Sequence, residues 1–154
     1  MAQRSVVGNL IQGLTSLDGR MSRTEFWVAS FALLIAAALL SIALTTFVRI
    51  GLQSWPRWAL PLLLQVLILW PLFAVMVKRG HDRERSALWT LGVNIFGHVV
   101  PQILLVTGRT EGAFYVWATI GVYILFDYGL LDGTAGANKF GASPKGVGQA
   151  NIAA

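Results

Sequence analysis

The chain contains no cysteine, only two histidines, and few charges of either sign. Without cysteine there are no disulfides, no thiolate chemistry and no S-palmitoylation, although the redox compartment stays open. Two histidines, His81 and His98, are a poor basis for a metal centre, and no metal or cofactor is expected. Charged residues make up 12% of the chain and hydrophobic ones 55%, whereas globular domains carry roughly 25% charged residues. A soluble fold of this length needs more polar surface than that to cover its core. A cleaved leader is not expected either, because the segment before Phe26 lacks a continuous apolar run.

What is present is four long apolar stretches, at residues 26–48, 58–77, 87–106 and 113–131. Gly51, Gly80, Gly108 and Gly133 follow them, and Asp127 is the one formal charge inside any of them. Each stretch approaches the ~20 apolar residues that cross about 30 Å of hydrocarbon at 1.5 Å per residue. Barrel strands would instead show ~10-residue alternating segments. The expected fold is therefore an all-α integral membrane protein with four transmembrane helices. Residues 1–21 form a cytoplasmic amphipathic segment, 22–132 the four-helix domain, and 133–154 an irregular Gly/Ala-rich tail.

Charge placement supplies an orientation. With the N-terminus cytoplasmic, Arg4, Arg20, Arg23, Lys78, Arg79, Arg83, Arg85, Lys139 and Lys145 lie inside, and Arg49, Arg57 and Arg109 outside. The positive-inside rule then puts both termini in the cytoplasm. This distribution accounts for the net charge of +5 without invoking nucleic acid. Trp27, Trp89 and Tyr128 fall near the inner interface, and Trp55, Trp58, Tyr115 and Trp117 near the outer one. Trp70 belongs to neither belt, and a packing role is expected for it.

Local signals refine the picture. Val6, Val7, Leu10, Ile11, Leu14 and Leu17 repeat at helical spacing, which predicts a short interfacial helix before the first span. Ser22-Arg23-Thr24-Glu25 has the form of a capping box and predicts a helix start near residue 22. Ala37, Ser41 and Thr45 form a small-residue stripe of the kind that lets helices approach closely in lipid. Pro71 should kink the second span or need local repair there. Asn94, His98 and Gln102 form one polar stripe on the third span, either as interhelical glue or as the lining of a polar path. Asp127 should pair with Arg20, Arg23 or Arg79, and Asp82 should cap the third helix.

Three short pieces carry a family likeness. They are Gly19-Arg20-Met21-Ser22-Arg23-Thr24-Glu25-Phe26-Trp27; Lys78-Arg79-Gly80-His81-Asp82 with Ser86 and Trp89; and Gly133, Gly136, Asn138, Phe140, Gly141 and Pro144. In order and spacing, over residues 17–145, the chain resembles the domain of unknown function 805 family of small bacterial inner-membrane proteins. Lys78, Gly80 and Ala87-Leu88 depart from that family's usual Arg, Leu and Gly-Trp. The resemblance implies an inner-membrane location and no defined reaction, so no catalytic residue carries over.

Under this topology all three pieces meet at the cytoplasmic face. Arg20, Arg23, Lys78, Arg79, Arg83 and Arg85, beside His81 and Asp82, could bind anionic lipid head groups or a protein partner. Alternatively they satisfy the positive-inside rule and pair with nearby carboxylates. His81-Asp82 has no marked nucleophile beside it, so an enzyme is not expected. The expected function is a non-enzymatic membrane scaffold, and the alternative is a small oligomeric transporter or channel subunit using the stripe of the third helix.

Overall fold

The computed structural model describes residues 13–50 and 59–146. Within them lie four helices: α1 (Arg23–Ile50), α2 (Ala59–Asp82), α3 (Ala87–Val106) and α4 (Thr110–Tyr123). The last runs directly into a π-helical segment, Ile124–Leu130. Residues 13–15 are helical, but Ser16 and Leu17 are already irregular, so the anticipated interfacial helix does not reach Leu17; its part before residue 13, and Trp55 and Trp58, lie outside the described residues. No strand occurs among the described residues, apart from one isolated bridge between Asn138 and Gly141.

Among the described residues, three helical stretches are long and apolar enough to cross a membrane: Arg23–Thr46, Ala87–Val106 and Thr110–Leu130. The first has a mean hydropathy of 2.4 and is not buried anywhere in its apolar window. Phe31, Leu34, Ile35, Leu39 and Ile42 all stand exposed along it. A surface this apolar is incompatible with water as its solvent, whereas hydrocarbon covers it without cost. Helix α2 ends in Lys78, Arg79, His81 and Asp82, so its final turns are polar.

The capping box at the start of α1 forms as anticipated. The Ser22 amide donates to Glu25 Oε2 at 2.8 Å, and the Glu25 amide donates to Ser22 Oγ at 3.3 Å. The cap of α3 corrects the expectation: Ser86, not Asp82, accepts from the Trp89 amide at 3.2 Å. Asp82 is the last residue of α2. There the chain leaves the helix by a Schellman arrangement, with the Arg85 amide on Gly80 O (2.8 Å) and the Glu84 amide on His81 O (3.1 Å). The residue in the left-handed position, usually glycine, is Glu84 at φ 60°.

Helices α1 and α2 pack as one pair and α3 and α4 as another, with α2 also meeting α3. Among the described residues, α1 touches the C-terminal helix only through its π-wound end. The buried core sits at that same end: Phe26, Val75 and Tyr128, with Trp27, Met21 and Leu14 against them. Tyr128 is fully buried there. The stripe on α1 faces away from this core. Ser41 and Thr45 are exposed and donate to carbonyls of their own helix, on Ala37 and Ser41 respectively.

Candidate functional site

The three sequence motifs meet at one end of the bundle, and the last turn of α2 is their hub. Asp82 is its centre. Its Oδ1 accepts from Arg20 Nε (3.0 Å) and Nη2 (2.7 Å), and its Oδ2 from Arg79 Nη1 (2.5 Å). All three side chains are sealed, at 1%, 3% and 1% exposure for Arg20, Asp82 and Arg79. Two guanidiniums around one carboxylate leave excess positive charge in a buried place, and backbone carbonyls offset it. Arg20 Nη1 donates to Gly136 O (2.6 Å) and Gly141 O (3.3 Å), and its Nη2 to Thr134 O (2.7 Å). With these, every N–H of Arg20 has an acceptor.

Arg79 does the same for the end of the C-terminal helix. Its Nε donates to Tyr128 O (2.7 Å) and its Nη2 to Leu131 O (2.5 Å). Trp27 Nε1 reaches Gly129 O (3.1 Å) and Arg23 Nη1 reaches Leu130 O (2.9 Å). The last carbonyls of a helix lack intrahelical donors and carry its partial negative charge. Here two cations and an indole N–H satisfy them.

The chain after the last helix is irregular, as its composition implied, but it is pinned. Thr134 donates from its amide (2.8 Å) and hydroxyl (3.2 Å) to Asp82 O, and Asn138 Nδ2 donates to His81 O (2.9 Å). These bonds close the orphan carbonyls at the end of α2. Asn138 Oδ1 accepts from the Phe140 amide at 2.9 Å, which sets Phe140 flat against His81 with ring centroids 3.8 Å apart. Gly141 adopts φ 132°, a conformation open to glycine. Gly133 crosses directly over Asp82: a Cβ there would lie 1.8 Å from Oδ2. Pro144, the last motif residue, is exposed.

On the other side, the segment before α1 lies along α2. Lys78 Nζ donates to Gly13 O, Trp70 Nε1 to Thr15 O (3.2 Å), and the Met21 amide to Lys78 O (3.1 Å). His81 Nδ1 meets Gly19 O at 3.0 Å, which requires the proton on that nitrogen. Burial lowers both Lys78 and His81 from their ordinary values, opposed for Lys78 by Glu25 and for His81 by the Gly19 bond. Trp70 therefore tethers this segment, a hydrogen-bonding role beyond packing.

A second cluster surrounds Asp127, and its partners correct the expectation. They are Arg83 (3.2 Å), Arg85 (3.6 Å) and the Tyr123 hydroxyl (3.0 Å), not Arg20, Arg23 or Arg79. Tyr123 in turn accepts from Trp89 Nε1 at 2.8 Å, and Arg85 lies over the Trp89 ring at 5.3 Å. This cluster is more open: Arg83 and Arg85 side chains are 23% and 43% exposed. Arg83 Nη1 also donates to Asp132 O (2.6 Å), while its buried Nε has no partner among the described residues. Arg23 is 47% exposed and weakly paired with Asp132 at 3.9 Å.

The polar stripe of α3 is not gathered into either cluster. Asn94 Nδ2 donates to Thr90 O of its own helix at 2.8 Å. His98 and Gln102 are exposed and bond to no described side chain or backbone group. Among the described residues, no group of three or more His, Asp or Glu side chains could hold a metal ion.

Sequence reasoning missed the acceptors rather than the donors. Thr134, Gly136, Leu131 and Tyr128 act through main-chain carbonyls, which every residue type possesses. The nearest available signal was the glycine-rich Gly133–Gly141 pattern itself, whose spacing marks a fixed loop.

The pattern of the family described as "Protein of unknown function (DUF805)" matches residues 14–142. "Uncharacterized protein YiiR" of Escherichia coli (strain K12) is 33% identical over 144 residues, covering 88% of this chain and 90% of that protein. "Inner membrane protein YhaI" of the same strain is 24% identical over 137 residues, covering 89% of this chain and 92% of its own length. No solved structure matches. The matched region holds both arginine clusters and the pinned loop up to residue 142, and the chain belongs to the DUF805 family of proteins of unknown function.

Proposed function

We propose that this chain is a non-enzymatic scaffold of the bacterial inner membrane, with four transmembrane helices and both termini cytoplasmic. In this reading α2 is the fourth span beside the three long apolar helices, and the motif end is a rigid platform at the cytoplasmic surface. Support for the location comes from the relative named as an inner membrane protein. Support for the orientation comes from the basic residues of the motif end, which follow the positive-inside rule.

The observation that carries the functional reading is the division of labour among the arginines. Arg20 and Arg79 are sealed on Asp82 and serve the fold. Arg23, Arg83 and Arg85 keep accessible surface at the same level. These outer residues contact anionic lipid head groups, each contributing about 1 kcal/mol near a charged surface. Lipid retention in native mass spectrometry tests this. Arg23→Gln with Arg85→Gln should lower retention of phosphatidylglycerol roughly 30-fold while phosphatidylcholine is unaffected. Undiminished phosphatidylglycerol retention would instead favour a protein partner for the same face.

A second reading rests on His98 and Gln102. Polar side chains exposed on a membrane helix call for partners, and a second copy of the chain supplies the same donors and acceptors. An oligomeric transporter or channel subunit would use this stripe. His98→Leu with Gln102→Leu should then convert the oligomer to monomer in light scattering, and a wild type already monomeric removes this reading.

A further inference from the structure

Between the segment before α1 and the end of α2 lies a recess of about 440 Å³, lined by Gly13, Ser16, Asp18, Arg20, Glu25 and Lys78 among others. Its volume is in the range of small-ligand sites. Lys78 is only 6% exposed, and among the described residues its ammonium bonds one acceptor, Gly13 O. An ammonium has three N–H donors, so two have no acceptor among the described residues and are open to a ligand. Arg20 lends nothing further, because all its donors are engaged. The same recess is lined by two exposed carboxylates, Asp18 and Glu25. Glu25 acts electrostatically on Lys78 and holds Ser22 through Oε2 alone, which leaves Oε1 open. Asp18 accepts only a long bond from Ser16 Oγ at 3.4 Å.

One buried cation with unused donors, rimmed by two accessible anions, is not a site for a simple anion. Phosphate alone would meet Lys78 but be repelled at the rim. A ligand that carries both signs fits both. We propose that this recess binds a phospholipid head group pairing a phosphate with a primary ammonium, as in phosphatidylethanolamine. The phosphate takes the free donors of Lys78, and the ammonium lies between Asp18 and Glu25. The proposal rests on the reading of the motif end as an interfacial face, which would deliver the head group attached to its lipid. It is separate from the contact assigned to Arg23 and Arg85.

Native mass spectrometry of the full chain with chain-matched phosphatidylethanolamine, phosphatidylglycerol and phosphatidylcholine tests it. The wild type should retain phosphatidylethanolamine roughly tenfold better than either other lipid, since a quaternary ammonium donates no hydrogen bond. Lys78→Gln should abolish that preference. Asp18→Asn with Glu25→Gln keeps the turn and capping acceptors, so the fold is preserved even if Lys78→Gln fails to assemble. That double variant should lose the preference over phosphatidylglycerol. Equal retention of the three lipids by the wild type, or a preference that survives the double variant, overturns the proposal. Displacement of the lipid by equimolar free phosphoethanolamine would overturn the lipid assignment. Loss of phosphatidylglycerol retention in the Arg23/Arg85 variant leaves this result untouched, so the two readings fail independently.

Discussion

Asp82 and Asp127 each hold two arginines at the same end of the bundle, yet they do different work. Asp82 is closed: both guanidiniums are buried, and their remaining donors bind carbonyls from the C-terminal loop and helix end. Asp127 is half-open, with Arg83 and Arg85 reaching the surface and Arg83 Nε without a partner among the described residues. Buried ion pairs are costly to break because the orphaned charge stays in low dielectric. Exposed ones contribute little to stability and keep their charge available to outside groups. The difference separates an ionic knot that holds three chain segments together from a basic rim that can meet a partner.

Removing the centre of each cluster should expose that contrast most strongly. Asp82→Ala leaves two buried guanidiniums unpaired and should cost about 3–5 kcal/mol. Asp127→Ala should cost about 1–2 kcal/mol, since water reaches its arginines. Chemical denaturation in micelles measures both, and similar losses would erase the distinction. Gly133→Ala sharpens it without altering charge. Its Cβ falls on the Asp82 carboxylate, so the loop must shift and stability should drop by about 1–3 kcal/mol or more. An unchanged midpoint would mean that the loop does not cover Asp82.

A pH titration probes the closed side alone. Burial holds His81 below its ordinary value, so it stays neutral when folded and takes a proton on unfolding. Its contribution is therefore complete above the unfolded value of about 6.5 and declines as pH falls through the lower, folded value. The melting temperature should fall between pH 7.5 and 5.5, and His81→Asn should flatten that slope. An identical slope in the variant would place the titration elsewhere. The smallest effect is a gain. Glu84 sits at φ 60° where glycine is unstrained, so Glu84→Gly should stabilise by about 1 kcal/mol. A loss there would show that the Glu84 side chain contributes more than its backbone strain costs.

Much of this architecture is legible in the sequence because it is encoded locally. Apolar runs mark the spans, Ser22 and Glu25 mark a helix start, and the arginine-bearing motifs mark one end. Which carboxylate meets which arginine is not local. Asp127 pairs with Arg83 and Arg85 because of how the C-terminal helix is rotated, and its final turns wind as a π-helix that no hydropathy pattern announces. The pinned tail was hidden for another reason. Its contacts with Arg20 run mainly through carbonyl oxygens, and a Gly-rich segment looks the same in sequence whether it is bound or loose.

The most direct test is a pair of double-mutant cycles, Arg20→Gln with Asp82→Asn and Arg83→Gln with Asp127→Asn, read from unfolding free energies in micelles. The first pair should show a coupling of about 2–3 kcal/mol and the second less than about 1 kcal/mol. Equal couplings, or a larger one at Asp127, would contradict the division between a structural knot and an available rim.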